Sequence, residues 1–87
     1  MPAYYLYILQ CADKTLYTGI TVNLKRRAIE HNSSKLGAKY TKPRRPVKVV
    51  YSKKFPTRSI AAKAEFKIKA LPRKEKLLLL KNYQKTK

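Results

Sequence analysis

The sequence predicts an α+β fold in which a small three-stranded antiparallel sheet is flanked by helices, in the order ββαβαα. Two observations predict it. The N-terminal quarter contains two extended, aromatic-rich stretches joined by a polar turn, and the later segments carry apolar residues at helical spacing. A chain of 87 residues has the length of one domain, so residues 1–87 are expected to form a single domain with a frayed C-terminal end.

The first two elements are expected to form a β-hairpin. Residues 3–11 alternate and are rich in aromatic and branched side chains, residues 16–21 resume the extended pattern, and the polar residues 12–15 connect them. On the first strand, one face carries Tyr5, Tyr7 and Leu9 and the other carries Tyr4, Leu6 and Ile8. Gly19, inside the second strand, predicts a bulge or a close approach of another group to the backbone.

A helix is expected next, over residues 24–31. Asn23 is its N-cap, and Leu24 and Ala28 mark its inner face. A basic loop over residues 35–46 then leads into the second half of the chain.

The second half is predicted to contain one strand and two helices. The strand covers residues 47–51, with Val47, Val49 and Tyr51 on one side. The next helix is expected to begin near Thr57 or Ser59 and to end near Pro72. Its apolar stripe comprises Ile60, Ala61, Ala64, Ile68 and Leu71. Residues 73–82 are predicted to form a short third helix.

The charge of the chain is strongly one-sided. Lys and Arg number 22 against four acidic residues, Asp13, Glu30, Glu65 and Glu75, which leaves a net charge of +18. Such a charge opposes compaction by self-repulsion, and a polyanionic partner offsets that cost. Because a hydrophobic content of 44% argues against disorder, nucleic acid is the first candidate partner and an acidic membrane surface the second.

Cysteine content and hydropathy indicate an intracellular protein. The single cysteine, Cys11, cannot form an internal disulfide, which suits a reducing compartment. The longest apolar run, residues 77–80, is far shorter than the ~18 residues that a membrane span needs, and no signal-peptide pattern precedes residue 4. We expect a soluble cytoplasmic protein with no membrane role, associated with the nucleoid if its partner is DNA.

Few residues are available for catalysis. Two glycines are too few for a phosphate-binding loop, and one cysteine with one histidine is too few for a metal cage. Arg27 and His31 lie four residues apart on the first helix and share a face beside its apolar stripe. Either both belong to a site, or Arg27 is a surface base and His31 is favoured by the dipole at the helix C-terminus. Periodicity leaves both interpretations open.

Glu65 and the tyrosines also have two interpretations each. Glu65, beside the apolar stripe of its helix, either pairs with a base such as Arg58 or Lys69, or binds a divalent cation together with water and phosphate oxygens. Cross-strand packing explains most strand tyrosines and is expected for Tyr4 and Tyr51. A tyrosine beside cations can instead have a lowered pKa and act as a base toward water.

The spacing of these residues resembles the GIY-YIG nuclease domain. Tyr5-Leu6-Tyr7, then nine residues, then Tyr17-Thr18-Gly19 corresponds to its paired motif. Arg27 and His31 follow Gly19 as in the helix pattern of that family, and Glu65 lies on a later helix, where the family carries its metal-binding glutamate. The stretches "YYLYILQC", "LYTGIT", "GAKYT" and "RRPVK" are similar to the short single-domain YhbQ-like bacterial branch, and the resemblance covers essentially the whole chain.

The resemblance implies an activity and a role for each of these residues. Members of the family cut phosphodiester bonds in DNA with one divalent cation, as homing endonucleases, restriction enzymes and repair incision nucleases. By similarity, Mg²⁺ or Mn²⁺ is the expected cofactor and Glu65 its ligand. Tyr7 would be the general base toward water, and Tyr17 would position the water or the phosphate. Arg27 would bind the scissile phosphate, and His31 would assist proton transfer from the tyrosine.

The sequence departs from the family pattern in three places. Tyr5 replaces the glycine of the first motif, and Thr18 replaces an isoleucine or valine of the second. Many members place an asparagine after the glutamate, whereas here the one asparagine beyond Glu65 is Asn82, seventeen residues on. Phosphate positioning then falls to other groups, such as Lys39, Tyr40 or Thr41.

We therefore expect a divalent-metal-dependent endonuclease acting on DNA, weakly sequence-specific or selective for DNA structure, with no appended recognition domain. Contacts to backbone phosphates are expected from the basic loop. Its candidate residues are Lys39, Tyr40, Thr41, Lys42, Arg44 and Arg45. The alternatives are a non-catalytic basic nucleic-acid-binding protein and a catalytic subunit whose protein partner supplies specificity. A transient homodimer would allow both strands to be cut.

Overall fold

The structure, a computed structural model, describes residues 3–33, 37 and 39–85. Its elements are, in chain order, β1 (Tyr4–Gln10), β2 (Leu16–Thr21), α1 (Leu24–Ser33), a short 3₁₀ helix (Lys42–Arg44), β3 (Lys48–Phe55), α2 (Arg58–Ala70) and α3 (Arg73–Lys85). The α+β fold, the order ββαβαα and the three-stranded antiparallel sheet are confirmed. Residues 35, 36 and 38 of the predicted basic loop and the C-terminal residues 86 and 87 lie outside the described part.

β1 is the central strand of the sheet, between β2 and β3. Its pairing with β2 places Tyr7 opposite Gly19 and Leu9 opposite Tyr17. Because residues directly opposite each other in an antiparallel pair share a face, Tyr7 and Tyr17 lie on the same side of the hairpin.

The core occupies both faces of β1. Leu6 and Ile8 are fully buried on one face, where α2 packs against β1 and β2. On the other face, one apolar cluster joins the hairpin, the start of β3 and α1; it comprises Tyr7, Leu9, Cys11 and Val47, with Tyr17 and Leu24 packed against it. Both predicted faces of the first strand are therefore packed against other elements, and the face with Tyr7 and Leu9 carries the candidate site.

The turn between β1 and β2 is tied to the loop and to α3. Asp13 accepts hydrogen bonds from the backbone N–H and hydroxyl of Thr15, and Lys14 has a φ of 72°, which is the left-handed conformation common in such turns. The Arg44 Nε lies 3.0 Å from Asp13 Oδ2, and Arg73 Nη2 donates to the carbonyl of Lys14 at 2.9 Å. These contacts fix the turn relative to both later segments.

β3 differs most from the prediction. It spans Lys48–Phe55 instead of residues 47–51 because its second half also pairs with β1. A register shift opposite Ile8 and Leu9 places Tyr51 opposite Ile8 but Val49 opposite Leu9. Val49 and Tyr51 consequently lie on opposite faces, and the predicted common face is wrong, because a bulge reverses the alternation that periodicity assumes.

The helix starts follow the predicted caps. Asn23 Oδ1 accepts from the backbone N–H of Arg26 at 3.0 Å, and Thr57, not Ser59, caps α2 by accepting from the N–H of Ile60. α1 and α3 run two and three residues further than expected, to Ser33 and Lys85. Within the described residues, no helix combines the length and the apolar character that crossing a bilayer requires.

The apolar stripe predicted for α2 is confirmed except at one end. Ala61 is fully buried, and Ala64, Ile68 and Leu71 are half-buried. Ile60, in the first turn of the helix, is 45% exposed.

Candidate active site

Tyr7 is the centre of the candidate site. Its side chain is 2% exposed, and its phenol lies across Gly19, the residue that faces it on β2. A Cβ at position 19 would lie 2.6 Å from the Tyr7 hydroxyl oxygen, so the glycine leaves the space that the phenol fills. Of the two expectations for Gly19, the close approach is confirmed, and β1 and β2 pair without a bulge.

His31, in the last two turns of α1, is fully buried and hydrogen-bonded on both ring nitrogens. Its Nε2 lies 2.9 Å from the Tyr7 hydroxyl, and its Nδ1 lies 2.9 Å from Thr41 Oγ1. The Tyr7 and His31 rings meet edge to face with centroids 5.8 Å apart. Three side chains from β1, α1 and the loop thus form one continuous hydrogen-bonded chain.

Burial keeps the His31 imidazole neutral. Desolvation lowers the pKa of His31 to about 4, and the Arg27 guanidinium acts in the same direction. An imidazolium stabilised by the helix dipole, one of the two interpretations of this residue, is therefore wrong. A neutral ring has one nitrogen free to accept a proton.

Burial also keeps the Tyr7 phenol protonated. Desolvation raises the pKa of Tyr7 to about 12, although a hydrogen bond from Arg27 acts to lower it. The expectation that nearby cations lower the pKa of a site tyrosine is wrong for Tyr7, because desolvation outweighs the guanidinium. The Glu65 carboxylate contributes a small increase, which places Glu65 within electrostatic reach of the phenol.

Arg27 approaches the same phenol from the preceding turn of α1. Its Nη1 lies 3.0 Å from Glu30 Oε1, and its guanidinium is close enough to the Tyr7 hydroxyl to act on the pKa of the phenol. The side chain is 26% exposed, so part of it remains accessible to solvent. Arg27 therefore lies beside Tyr7, and its role in a site stays a prediction.

Tyr17 borders the site on the hairpin side. Its ring centroid lies 5.3 Å from that of His31, and Tyr40 stacks on its outer face at 5.9 Å with an interplanar angle of 26°. The Arg44 guanidinium carbon lies 4.1 Å from the centre of the Tyr40 ring. Two stacked tyrosines and an arginine thus lie beside His31 on the hairpin side.

Glu65 reaches the site from α2. Its side chain is 23% exposed, and one carboxylate oxygen lies 3.4 Å from Lys69 Nζ, so the ion pair that was one interpretation of this residue does form. Lys69 is 55% exposed, and such a pair is worth no more than about 1 kcal/mol. The pair is therefore weak enough for a cation to displace Lys69.

The acidic side chains present suit a hard cation that binds together with its substrate. Among the residues that the structure describes, no group of three or more His, Cys, Asp or Glu side chains could hold a metal ion. Zinc prefers three or four protein ligands, whereas Mg²⁺ often uses one or two carboxylates plus phosphate oxygens and water. A half-buried Glu65 within electrostatic reach of Tyr7 fits the second pattern.

Two residues assigned to phosphate contact are placed elsewhere. Thr41 is fully buried against His31. Arg45 donates from Nε and Nη2 to the carbonyls of His31 and Glu30, so it binds carbonyls near the C-terminus of α1. The prediction for Thr41 requires correction, because the loop folds back onto the helix and buries this side chain; a phosphate contact by the half-buried Arg45 stays a prediction.

The other loop residues remain at the surface. Lys39, Tyr40 and Lys42 are exposed, and Arg44 is half-buried between Asp13 and Tyr40. Asn82, on α3, is exposed.

Asn32 holds the end of α1 in place beside the candidate site, and sequence reasoning did not identify it. Its side chain donates to the carbonyl of Val47 at 2.9 Å and accepts from the Val47 N–H at 2.7 Å. These bonds imitate a strand pair and fix the end of α1, next to His31, against the start of β3. The sequence signal was slight, an asparagine directly after the helix histidine.

A sequence profile of the GIY-YIG catalytic domain matches residues 3–78. The chain is 57% identical over 77 residues to a UPF0213 protein of Syntrophus aciditrophicus, covering 88% of each chain. It is 54% identical over 84 residues to one of Desulfotalea psychrophila, covering 97% of this chain and 76% of that one.

Two solved structures share the fold. The NMR structure of an E. faecalis protein has a TM-score of 0.66 and 44% identity, over 97% of this chain and 88% of that one. The NMR structure of a UPF0213 protein from Bacillus halodurans has a TM-score of 0.60 and 39% identity, over 91% and 83%.

The fold and the profile together define a catalytic domain of the nuclease type. The chain belongs to the GIY-YIG family, and over most of its length it is similar to the short UPF0213 proteins within it.

Proposed function

We propose that the protein is an endonuclease that hydrolyses phosphodiester bonds in DNA with a divalent cation, Mg²⁺ or Mn²⁺, and with weak sequence specificity or selectivity for DNA structure. The hydrogen-bonded chain from Tyr7 through His31 to Thr41 carries the proposal. Arg27 binds the first member of this chain, and Glu65 lies within electrostatic reach of it. A protein that only binds nucleic acid has no need for a buried tyrosine hydroxyl aligned on a neutral imidazole.

Tyr7 is the proposed general base, and His31 is the group that makes it one. With a pKa of about 12 the phenol is protonated at neutral pH, so it must lose a proton before it can accept one from water. The Tyr7 hydroxyl lies 2.9 Å from His31 Nε2, so the phenol proton can pass to that nitrogen when the ring is neutral. Transfer to that nitrogen leaves a phenolate that deprotonates the attacking water.

The binding of substrate supplies the charge that this transfer needs. A bound phosphate favours the imidazolium over the neutral imidazole. Thr41 Oγ1, which lies 2.9 Å from Nδ1, accepts a hydrogen bond from the second N–H of the charged ring. A divalent cation bound by Glu65 would polarise the phosphate and stabilise the leaving oxygen.

Arg27 and Tyr17 hold the reacting phosphate in this proposal. The solvent-facing edge of the Arg27 guanidinium binds phosphate oxygens and neutralises the charge that develops on them, while Glu30 fixes its orientation. The Tyr17 hydroxyl, beside His31, positions the water or the phosphate. The DNA backbone continues across the exposed Lys39, Tyr40 and Lys42.

Cellular context is part of the same proposal. We place the enzyme in the cytoplasm, in contact with nucleoid DNA, because a net charge of +18 favours a polyanion. A protein partner that supplies specificity, or a transient homodimer that cuts both strands, is compatible with one small catalytic unit.

Replacing Tyr7 by phenylalanine tests the proposal while keeping the ring that fills the core. Cleavage of single-stranded, duplex and branched oligonucleotides should fall about 10²- to 10⁴-fold, with DNA binding retained. The matched control is Tyr51→Phe, because Tyr51 packs on Tyr83 with centroids 5.0 Å apart and is not among the site residues; it should cut like the parent.

Equal cleavage by Tyr7→Phe and the parent would contradict the general base. DNA binding by the parent without cleavage of any of these substrates would favour the second candidate, a non-catalytic nucleic-acid-binding protein. The excess of basic residues supports that candidate equally well.

A further inference from the structure

The outer face of α2 presents an aromatic side chain that the proposed site does not use. Phe66 is 76% exposed, more than any other large hydrophobic side chain among the described residues. Leaving such a ring in water is unfavourable, because apolar surface gains free energy when it is removed from water. The ring is therefore available to a ligand that can cover it.

Phe66 lies in a shallow depression with cationic edges. The depression has a volume of about 420 Å³ and is lined by Ser59, Ala62, Lys63, Phe66 and Lys67. Its floor is apolar, and the two lysines supply positive charge at its rim. This combination fits a flat aromatic group attached to an anion, which describes a nucleobase and its phosphate.

Helix geometry connects this depression to Glu65. Successive side chains on a helix diverge by about 100°, so Glu65 reaches the candidate site while Phe66 faces outward from the adjacent position. Lys69 and Ala62 lie in the sector between them. Glu65 is the one acidic residue of α2, so a strand bound near Glu65 can continue to Phe66 without meeting a second negative charge.

We propose that Phe66, with Lys63 and Lys67, forms a stacking site for an unpaired nucleobase next to the cleaved phosphate. The proposal rests on the proposed function for its location, and it names the substrate class as nucleic acid with a single-stranded segment beside the cleavage position. In a duplex the base faces are covered by their neighbours, so a ring at the protein surface finds only edges and backbone.

Charge decides between a nucleic-acid occupant and a second copy of the chain. Pairing two copies through Phe66 would bring Lys63 and Lys67 of both together, in a protein with a net charge of +18, whereas a nucleotide neutralises them. The exposed apolar patch on α3, around Leu77 and Leu78, also has basic neighbours but no aromatic ring.

A single introduced indole tests the stacking site directly. The chain contains no tryptophan, so Phe66→Trp creates one fluorophore at the site, and Leu77→Trp creates a matched control in the α3 patch. Both are titrated in EDTA with an oligo(dT) single strand and with a duplex of equal length. Saturable quenching of Phe66→Trp by the single strand, with little by the duplex and little for Leu77→Trp, is the expected result.

Affinity gives the second readout. Because base–aromatic stacking is worth about 1–3 kcal/mol per base, Phe66→Ala should weaken single-strand binding about 5- to 150-fold and leave duplex binding near the parent value. Absence of quenching in Phe66→Trp, equal quenching in both tryptophan variants, or unchanged single-strand affinity of Phe66→Ala would each overturn the proposal.

Two further outcomes identify what has failed. A DNA-free dimer in sedimentation that Phe66→Ala abolishes would make a second copy the occupant and overturn the stacking site. Stacking observed in EDTA, together with no cleavage by the parent in Mg²⁺, would instead reject the proposed nuclease function and leave the binding site intact.

Discussion

Tyr7 and His31 are buried side by side, and burial moves the pKa of each away from neutrality in the direction that keeps it uncharged. Two neutral groups sharing a proton cost the fold less than a buried ion pair. Their resting state is therefore stable but inactive as a base. At the scale of residues, the catalytic question is whether bound phosphate shifts this proton.

The neutral state of His31 makes a pH-dependent prediction. Its pKa of about 4 in the folded chain lies below the ordinary value of 6.5, so between these values the unfolded chain binds the additional proton. The contribution of His31 to the free energy of unfolding should therefore be complete above pH 6.5 and should be lost as the pH drops toward 4. Urea unfolding at pH 5 and 7 should show a smaller pH difference in His31→Gln than in the parent.

NMR checks the same group without relying on stability. His31 is the one histidine of the sequence, so its ring signals need no assignment by mutation, and they should titrate near pH 4 with the proton on Nδ1 at neutral pH. A midpoint near 6.5 would mean that the ring is solvated, and a neutral ring protonated on Nε2 would contradict the direction of the proposed transfer.

The resemblance to the GIY-YIG motif selected Tyr7, Arg27, His31 and Glu65 as candidates, but it could not show what each one contacts. The neutral state of His31 depends on burial by residues from three elements, which periodicity along one helix does not report. The loop was harder still. A threonine in a basic loop looks like a surface residue until the chain closes and brings Thr41 to the histidine.

At the scale of elements, the β-hairpin holds the phenol in place through the pairing of Tyr7 with Gly19. Gly19→Ala should push the Tyr7 phenol away from His31, because the new methyl would lie 2.6 Å from the Tyr7 oxygen. Cleavage should fall at least tenfold and the free energy of unfolding by about 1–3 kcal/mol. In a Tyr7→Ala background the same change should cost much less stability. An active Gly19→Ala variant would place the reacting group elsewhere.

Two basic residues of the loop, Arg45 and Lys42, are expected to have different roles. Arg45→Met should lower the free energy of unfolding by about 1–2 kcal/mol, because carbonyls near the end of α1 lose a charged donor; the salt dependence of DNA binding should stay as in the parent. Lys42→Met should leave stability unchanged and reduce the slope of log K against log salt by about 1. The reverse pattern, measured by urea unfolding and by binding at several salt concentrations, would reject this division.

Element types and order were predictable because long periodic segments and cap residues are local signals. The positions of Thr57 and Asn23 set two helix starts correctly. The face of Tyr51 was not predictable, since the bulge in β3 arises from pairing with β1, and pairing is a property of two segments. Helix ends ran past their expected limits because tertiary packing extends a helix beyond its local signals.

At the scale of the whole molecule, three elements supply the residues of the candidate site. Tyr7 comes from the hairpin, Arg27 and His31 come from α1, and Glu65 comes from α2. The net charge of +18 favours a polyanionic partner through long-range attraction. Fold, charge and site therefore converge on one substrate class.

Metal-dependent cleavage is the measurement that tests this account most directly. Supercoiled plasmid and single-stranded and branched oligonucleotides are incubated with Mg²⁺ or with EDTA, using the parent, Glu65→Gln and the control Glu75→Gln, whose residue is exposed on α3. The account predicts cutting in Mg²⁺ by the parent and by Glu75→Gln, none in EDTA, and none by Glu65→Gln although it binds DNA at least as tightly as the parent. Cleavage that persists in EDTA, or equal cleavage by Glu65→Gln, would contradict it.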